Sequence, residues 1–366
     1  GQFPAIAHFA CITWLRNLLS GGSRRRAGMS GDLKDTVERL IKREDLSIEE
    51  ASQAVEAILA GADSHLAAAF LVLLRAKGET PKEVAGMVVA MRKHMVPVPI
   101  EEPTLDIVGT GGDGAHTLNF STGAAIVAAS CGALVAKHGN KSASSKCGSA
   151  DVLRSLGIAL EQTPAQVKAC VDGAGIAFMF APVFHPAMKT VMPVRKALGV
   201  RTIFNILGPL LNPAGAVRLL IGVYAEPLVD LVAQALFELK VERAMVVHCG
   251  GLDELAPIAV AVCAEVSRSD ITRSAIDPFA LGFKRCTIDD LKGGDAEENA
   301  KMLREVIGGK RPGPLEDTIV LNAGAGLYVA GTAPSMADGC EMARASIKAG
   351  KPLETLDKWV KACSAV

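Results

Sequence analysis

Aromatic side chains are scarce in this chain, and neither sign of charge is in excess. Phe, Trp and Tyr make up 4% of the 366 residues, whereas hydrophobic residues make up 49%. The core must therefore be built from Ala, Val, Leu, Ile and Gly, as is common where helices pack on a parallel sheet. Lys and Arg together number 39, as do Asp and Glu. Because a nucleic-acid-binding protein normally carries a basic excess or patch, this balance argues against a nucleic-acid partner.

The chain also lacks paired cysteine motifs and strongly apolar runs. Its nine cysteines include no C-x-x-C pair and their number is odd, so we expect reduced thiols. The longest uncharged run, residues 118–136, is long enough to suggest a membrane span. Because it contains an amide, three hydroxyls and two glycines, we predict a buried helix instead and no membrane partner.

Acidic residues are missing from the first part of the chain. Residues 1–29 carry Arg16 and three consecutive arginines, and the first acid is Asp32. An acid-poor, arginine-bearing leader suggests an organelle transit peptide. We therefore predict a plastid location, with the cytoplasm as the alternative.

The apolar pattern divides the rest of the chain into two parts. Residues 30–100 have helical spacing, with capping boxes at Ser47 and Thr80, and predict a small all-helical domain. Residues 104–366 alternate short apolar runs with helical stretches, which predicts a larger α/β domain with a mostly parallel sheet flanked by helices. Helices around residues 185–210 are expected to pack with the helical domain. The predicted strands are 105–108, 133–136, 176–180, 219–224, 244–248 and 318–321.

A glycine-rich turn follows the first predicted strand. Residues 109–114 contain four glycines and Asp113, so the backbone can adopt positive φ and its N–H groups can converge on an anion. The alternative is an ordinary tight turn. Thr117, Asn119, Ser121 and Thr122 then crowd at the start of a predicted helix, residues 123–132. Ordinary N-capping needs one such residue, so this excess favours a phosphate at the helix N-terminus.

The same design recurs after the second predicted strand. Lys137 and His138 end that strand, a loop rich in serine follows, and a helix starts near Ser149. Neighbouring strands would place both loops at one edge of the sheet, where ligands bind in open α/β folds. Lys137 would supply positive charge there, although a lone lysine is more often a solvated charge.

Two further groups of residues carry chemistry. Asp253 and Glu254 follow another strand and are suitable Mg²⁺ ligands beside a diphosphate, although an isolated Asp-Glu pair is more often a solvated turn. An apolar loop containing His185 precedes Arg195 on a predicted helix. An apolar wall beside a guanidinium suits a flat aromatic acid, with an exposed helical charge as the alternative.

Together these segments closely resemble the anthranilate phosphoribosyltransferases, from about residue 31 to the end of the chain. The match depends on many short motifs in a fixed order, and their combination is highly specific. They are Gly-Thr-Gly-Gly-Asp at 109–113, Asn-Phe-Ser-Thr at 119–122, Lys-His-Gly-Asn at 137–140, Gly-Ser-Ala-Asp at 148–151, His-Pro-Ala-Met at 185–188, Val-Arg at 194–195, Arg-Thr-Ile-Phe-Asn-Ile-Leu-Gly-Pro-Leu at 201–210 with Asn-Pro at 212–213, and Gly-Leu-Asp-Glu at 251–254.

The resemblance implies transfer of a phosphoribosyl group from phosphoribosyl pyrophosphate to anthranilate, with Mg²⁺ as cofactor, in a homodimer. It assigns phosphoribosyl pyrophosphate to Gly109, Gly112, Asp113, Thr117, Asn119, Phe120, Ser121, Thr122, Lys137, His138, Gly139, Asn140, Lys141, Ser144, Ser145 and Ser149. It assigns anthranilate to Gly109, His138, Asn140, His185 and Arg195, and Mg²⁺ to Ser121, Asp253 and Glu254. His138 is the candidate general base. Lys141 departs from the arginine expected there, which weakens a bidentate phosphate contact.

Two other functions fit part of the pattern. A pyrimidine nucleoside phosphorylase would share the helical and α/β plan and a glycine-rich anion loop, but would not need the acidic pair or Arg195. A phosphate or nucleotide sensor would bind phosphoribosyl pyrophosphate without turnover.

Overall fold

Four helices form the first part of the fold in this computed structural model, which describes residues 33–142 and 146–364. They are α1 (Leu33–Ile41), α2 (Ile48–Leu59), α3 (Ser64–Lys77) and α4 (Pro81–Lys93). The predicted capping boxes are confirmed, because Ser47 and Thr80 accept the N–H groups of Glu50 and Glu83. The predicted leader, residues 1–29, lies outside the described residues.

A seven-stranded sheet follows, with the order β3-β2-β1-β4-β5-β6-β7. The first five strands in this order are parallel, and β6 and β7 are antiparallel to their neighbours. The predicted mostly parallel sheet is therefore confirmed. The strands are β1 (Leu105–Gly109), β2 (Val135–Gly139), β3 (Ile176–Phe180), β4 (Arg218–Gly222), β5 (Arg243–His248), β6 (Ala261–Ser267) and β7 (Ile271–Ile276).

Helices cover both faces of the sheet. They are α5 (Phe120–Ser130), α6 (Ser149–Ser155), α7 (Pro164–Ala174), α8 (Ala181–Phe184), α9 (Met188–Leu198), α10 (Phe204–Leu207), α11 (Pro227–Glu238), α12 (Ala296–Ile307), α13 (Pro314–Ala330), α14 (Met336–Lys348) and α15 (Lys351–Ser364). Two 3₁₀ turns, Gly208–Leu210 and Asp289–Leu291, complete the elements. Within the described ranges, no helix combines the length and apolar character needed to cross a bilayer.

Side chains that alternate along the strands divide the interior into two cores. Leu219 and Ile221 join one core, which also contains helices α1–α4 and α11. Leu220 points to the other core, which contains α5, α7, α13 and α15. Helix α9 packs against α2 and α3 of the helical unit.

One strand prediction was wrong and two strands were missed. Residues 318–321 lie inside α13, which is buried on most sides and therefore shows an uninterrupted apolar run that resembles a strand. Strands β6 and β7 were missed. For β7 the reason is that it is largely exposed at the sheet edge and lacks an apolar run. The helix predicted at 123–132 begins earlier, at Phe120.

Candidate active site

The carboxyl ends of four parallel strands bring the predicted loops to one edge of the sheet. β1 and β4 pair in register, with Gly109 opposite Gly222, and β4 pairs with β5 in the same direction. The loops after β1 and β5 then contact each other directly, and Lys137 at the end of β2 lies close enough to Asp253 and Glu254 to interact with their charges. The Gly111 N–H donates to Asp253 Oδ2 over 2.5 Å. The structure therefore brings residues 109–113, 137–140 and 253–254 together.

The glycine-rich loop has the backbone conformation that its composition predicts. Gly111, Gly112 and Gly114 have φ values of +68°, +82° and +75°, a region that favours glycine. A Cβ built on Gly111 or Gly114 would meet no atom within 4 Å, so the loop borders open space. The Asp113 carboxylate turns back to accept the N–H of Ala115 over 3.1 Å. Open space beside flexible glycine backbone suits the close approach of an anion.

The acidic pair is buried, not solvated. A tight turn through Gly250 and Gly251, both at positive φ, closes with a bridge between Cys249 and Leu252 and directs the chain inward. Burial, reinforced by the charge of Asp113, raises the pKa of Asp253 to about 7.

Glu254, the second acid of the pair, contacts the start of α5. Its Oε1 accepts the Ser121 N–H at the start of α5 over 3.2 Å. Burial, followed by the charge of Asp253, raises the Glu254 pKa well above its usual value. Buried carboxylates of this kind need a compensating cation to stay ionised.

Lys137 is also buried, which excludes the alternative of a solvated charge. Its Nζ donates to the Ile107 carbonyl over 2.5 Å and to Ser121 Oγ over 3.3 Å. Burial lowers its pKa, whereas the charges of Asp106, Glu254 and Asp253 oppose that shift. The ammonium group is therefore held between the acidic pair and the start of α5.

The residues at and before the start of α5 have different surroundings. Asn119 occupies the N-cap position, yet its side chain makes no capping bond. The hydroxyl of Thr122 is buried without a partner among the described residues. Phe120 is fully buried in the core, which leaves only its backbone for a ligand. Thr117 forms an isolated bridge with Lys292.

The loop after β2 connects to α6 through its backbone. The Asn140 carbonyl accepts the Ser149 hydroxyl and the Ala150 N–H, each over 3.2 Å. Gly139 must lack a side chain because a Cβ there would overlap Ser149 Oγ. Lys141 is exposed. Ser144 and Ser145 lie outside the described residues.

Two buried histidines form a pair beside this edge. The His138 and His185 ring centroids lie 5.0 Å apart, edge to face. His138 Nδ1 donates to the Gly208 carbonyl over 3.2 Å, which leaves Nε2 as the lone-pair nitrogen, buried without a partner among the described residues. Burial, and for His138 the neighbouring His185, lowers the pKa to about 3 for His138 and about 4 for His185.

Arg195 lies on α9. It faces the segment that contains Phe204 and Gly208, and the Gly208 carbonyl accepts the hydrogen bond from His138. Its guanidinium lies 5.5 Å from the Phe204 ring centroid, and Phe204 begins α10, which ends beside Gly208. No described carboxylate lies within ion-pair distance of it. Burial lowers its pKa. A half-buried guanidinium without a protein counter-ion suits an incoming carboxylate.

Sequence analysis gave no role in the site to Asp106, Asn212 and Arg201, although the last two lie in the quoted motifs. Asp106 is buried in β1, accepts Asn212 Nδ2 over 2.7 Å and faces the His138 N–H. Burial raises its pKa to about 6 against the opposing charge of Lys137. Arg201 donates to the Gly112 carbonyl and stacks 4.3 Å from the Tyr224 centroid. An acid inside an otherwise apolar strand was the available signal for Asp106.

Known proteins share this arrangement along most of the chain. Residues 34–95 match a family model described as the glycosyl transferase family, helical bundle domain, and residues 101–353 match its a/b domain. The anthranilate phosphoribosyltransferase of Chlamydia felis is 43% identical over 329 residues, which cover 90% of this chain and 96% of the relative. That of Haloferax volcanii is 46% identical over 319 residues, or 87% and 96% of the two chains.

Solved structures agree with the sequence relatives. The anthranilate phosphoribosyltransferase of Thermus thermophilus superposes with a TM-score of 0.86 at 44% identity, covering 90% of this chain and 99% of that one. The Saccharomyces cerevisiae enzyme in complex with PRPP and Mg gives a TM-score of 0.84 at 28% identity, covering 92% and 99%. The chain therefore belongs to the anthranilate phosphoribosyltransferase family.

Proposed function

We propose that this chain transfers the phosphoribosyl group of phosphoribosyl pyrophosphate to the amine of anthranilate. The products are N-(5-phosphoribosyl)anthranilate and pyrophosphate, in tryptophan biosynthesis. The observation that carries the proposal is the single sheet edge where a glycine-rich anion loop, a buried lysine and a buried acidic pair meet. An apolar-walled Arg195 without a protein counter-ion among the described residues lies beyond it.

The diphosphate and ribose phosphate are proposed to lie over the glycine loop and the start of α5. Gly112 and Asp113 lie in the loop whose neighbouring Gly111 and Gly114 border open space. Lys137 supplies the positive charge, and its burial strengthens the attraction between its ammonium group and a phosphate because little water screens it. The other members of this proposed subsite are Gly109, Thr117, Asn119, Phe120, Ser121, Thr122, His138, Gly139, Asn140, Lys141, Ser144, Ser145 and Ser149.

The donor set at the acidic pair fits a magnesium ion. Asp253 and Glu254 place two buried carboxylates against the charge of Lys137, so negative charge is in excess unless a cation binds. Both carboxylates and the Ser121 hydroxyl are the oxygen donors that Mg²⁺ prefers, with water and phosphate oxygens completing its shell. When bound, the ion would stabilise negative charge on the departing pyrophosphate.

Three side chains of this chain then support the transfer. Lys137 neutralises the leaving pyrophosphate as charge builds on it. Arg195 pairs with the anthranilate carboxylate and so directs the amine to the anomeric carbon. His138 Nε2 accepts the amine hydrogen bond, and its low pKa suits it to take a proton only from the acidic anilinium formed after attack.

The activity is tested by following loss of anthranilate fluorescence with phosphoribosyl pyrophosphate and Mg²⁺. We expect stoichiometric conversion that stops when Mg²⁺ is chelated. Phosphorolysis of thymidine without Mg²⁺ would instead identify a nucleoside phosphorylase. Tight phosphoribosyl pyrophosphate binding without anthranilate loss would identify a sensor.

The domain division and the homodimer also belong to this proposal. We place residues 30–100 in a helical domain and residues 104–366 in an α/β domain, with α9 packed on the former. Ile41 on α1 and Val72 on α3 are 56% and 42% exposed, which offers an apolar surface for a second copy. Light scattering in solution tests the dimer.

Plastid targeting is proposed from the arginine-rich, acid-poor composition of residues 1–29. Fusing these residues to a fluorescent protein tests it. Import into plastids would support it, and a diffuse cytoplasmic signal would contradict it.

A further inference from the structure

The Asn119 side chain bonds to residues outside its own helix. An N-cap residue would normally bond to the N–H groups of that helix. Asn119 Nδ2 donates to the Cys147 carbonyl over 3.2 Å, in the segment that leads into α6. Its Oδ1 accepts from Asn299 Nδ2 over 3.0 Å. Asn is among the strongest N-cap residues, so the missing capping bond needs a cause. The contact with Asn299 supplies it.

Asn299 is held in one orientation by its own surroundings. It is 1% exposed, in the first turn of α12, and its Oδ1 accepts the Gly294 N–H over 2.6 Å. Because an amide has one acceptor end and one donor end, this bond directs Nδ2 toward Asn119. A Cβ on Gly293 would crowd Asn299 Oδ1 at 2.6 Å, so the surrounding backbone packs closely on the amide.

The segment before α12 also holds the loop that precedes α5. The Leu118 N–H donates to the Leu291 carbonyl over 3.0 Å. The Gly293 N–H donates to the His116 carbonyl over 2.9 Å. α12 and the segment before it therefore hold the backbone between the glycine-rich loop and α5. Asn299 holds the Asn119 side chain at the end of that stretch.

We propose that Asn299 is a positioning residue for the sugar diphosphate. It keeps the Asn119 amide turned toward Cys147, so that the loop after β1 and the loop after β2 stay at a fixed separation. Without that donor, only the weak thiol bond from Cys147 Sγ, 3.4 Å long, holds Asn119 Oδ1 in place. Asn119 then turns to cap the N–H groups of α5 and releases Cys147. This inference rests on the proposed function, because it assigns both loops to one ligand.

The test replaces Asn299 by Asp, which is close in size and still accepts the Gly294 N–H but cannot donate to Asn119. Calorimetry with phosphoribosyl pyrophosphate and Mg²⁺ should show at least a tenfold rise in Kd. In turnover assays, the KM for phosphoribosyl pyrophosphate should rise alike, whereas the KM for anthranilate stays within twofold. Glu298→Gln is the matched control, because it alters the same helix start without touching Asn119.

A double-mutant cycle separates positioning from general loss of structure. In an Asn119→Ala background, Asn299→Asp should raise the Kd by less than twofold, because the residue through which it acts is gone. The proposal would be overturned if the effects of the two substitutions on Kd were fully additive, or if Asn299→Asp left the Kd unchanged. An equal rise in KM for both substrates would also overturn it. Asn299→Ser gives the same comparison if the Asp variant does not fold. Wild-type binding without turnover would remove the proposed function but leave this test intact.

Discussion

The imidazole rings of His138 and His185 lie 5.0 Å apart between centroids, and both are buried beside the Arg195-bearing helix. Burial lowers their pKa values to about 3 and about 4, respectively. Both rings are therefore neutral in the folded protein at physiological pH. The unfolded chain, in contrast, takes up protons as the pH falls through about 6.5.

This difference predicts a loss of stability in acid. Because the unfolded state binds more protons between about pH 6.5 and the lowered pKa, each ring costs about 2 kcal/mol of stability at pH 5. Replacing His138 by Gln should remove its share. The free energy of unfolding, measured with urea at pH 7 and pH 5, should then fall by about 2 kcal/mol less than in wild type. His65→Gln, at an exposed position, controls for loss of an imidazole. Identical pH dependence in wild type and His138→Gln would refute the assignment.

A second prediction concerns the glycine at the end of β4. A Cβ on Gly222 would overlap the backbone oxygen of Asp253, so the acidic turn can sit against the sheet only if this position is bare. Gly222→Ala should therefore displace Asp253, lower the melting temperature and cut kcat/KM at least a hundredfold. In Gly173→Ala, within α7, the new Cβ would lie 3.8 Å from the Ala362 Cβ, an ordinary contact. That control should be as stable as wild type or about 0.5–1 kcal/mol more stable. A fully active Gly222→Ala enzyme would contradict the packing argument.

Local pattern explains why much of the fold could be predicted. The strand at Ile176–Phe180 has an uninterrupted apolar run with a glycine before it, and the prediction there is confirmed. The same kind of run at residues 318–321 belongs to a 17-residue helix. Apolar runs alone cannot distinguish the two, and only the length from Pro314 onward favours a helix.

In the site, too, some features could be predicted from local sequence and others could not. The residues of the glycine loop follow one another in the sequence, and so do the two acids of the acidic pair. The chemistry of each segment is therefore visible in the local sequence pattern. Asn299 contacts Asn119 across 180 residues, and Asn212 contacts Asp106 across 106. Partners of this kind are set by the tertiary fold, which no local spacing encodes.

Arg195 gives a prediction about the acceptor. Arg195→Ala removes the guanidinium proposed to pair with the anthranilate carboxylate. The KM for anthranilate should rise, or turnover fall, at least tenfold, while the KM for phosphoribosyl pyrophosphate stays near wild type. Lys196→Ala removes an exposed positive charge from the same helix and should leave both constants unchanged. If the two substitutions had equal effects, only the overall positive charge of α9 would matter. The proposed direct pairing of Arg195 with the carboxylate would then be wrong.

The acidic pair gives the final prediction, because its function and its effect on stability should have opposite signs. Asp253→Asn with Glu254→Gln preserves shape but removes two buried negative charges, whose burial raises both pKa values. Stability should therefore be retained or increased, since neutral amides cost less to bury than two carboxylates whose negative charge exceeds the positive charge of Lys137. Turnover should fall at least a hundredfold, and its dependence on Mg²⁺ concentration should weaken. Glu101→Gln with Glu102→Gln removes an exposed adjacent pair and should change neither property. An active double variant with an unaltered Mg²⁺ titration would disprove the proposed metal site.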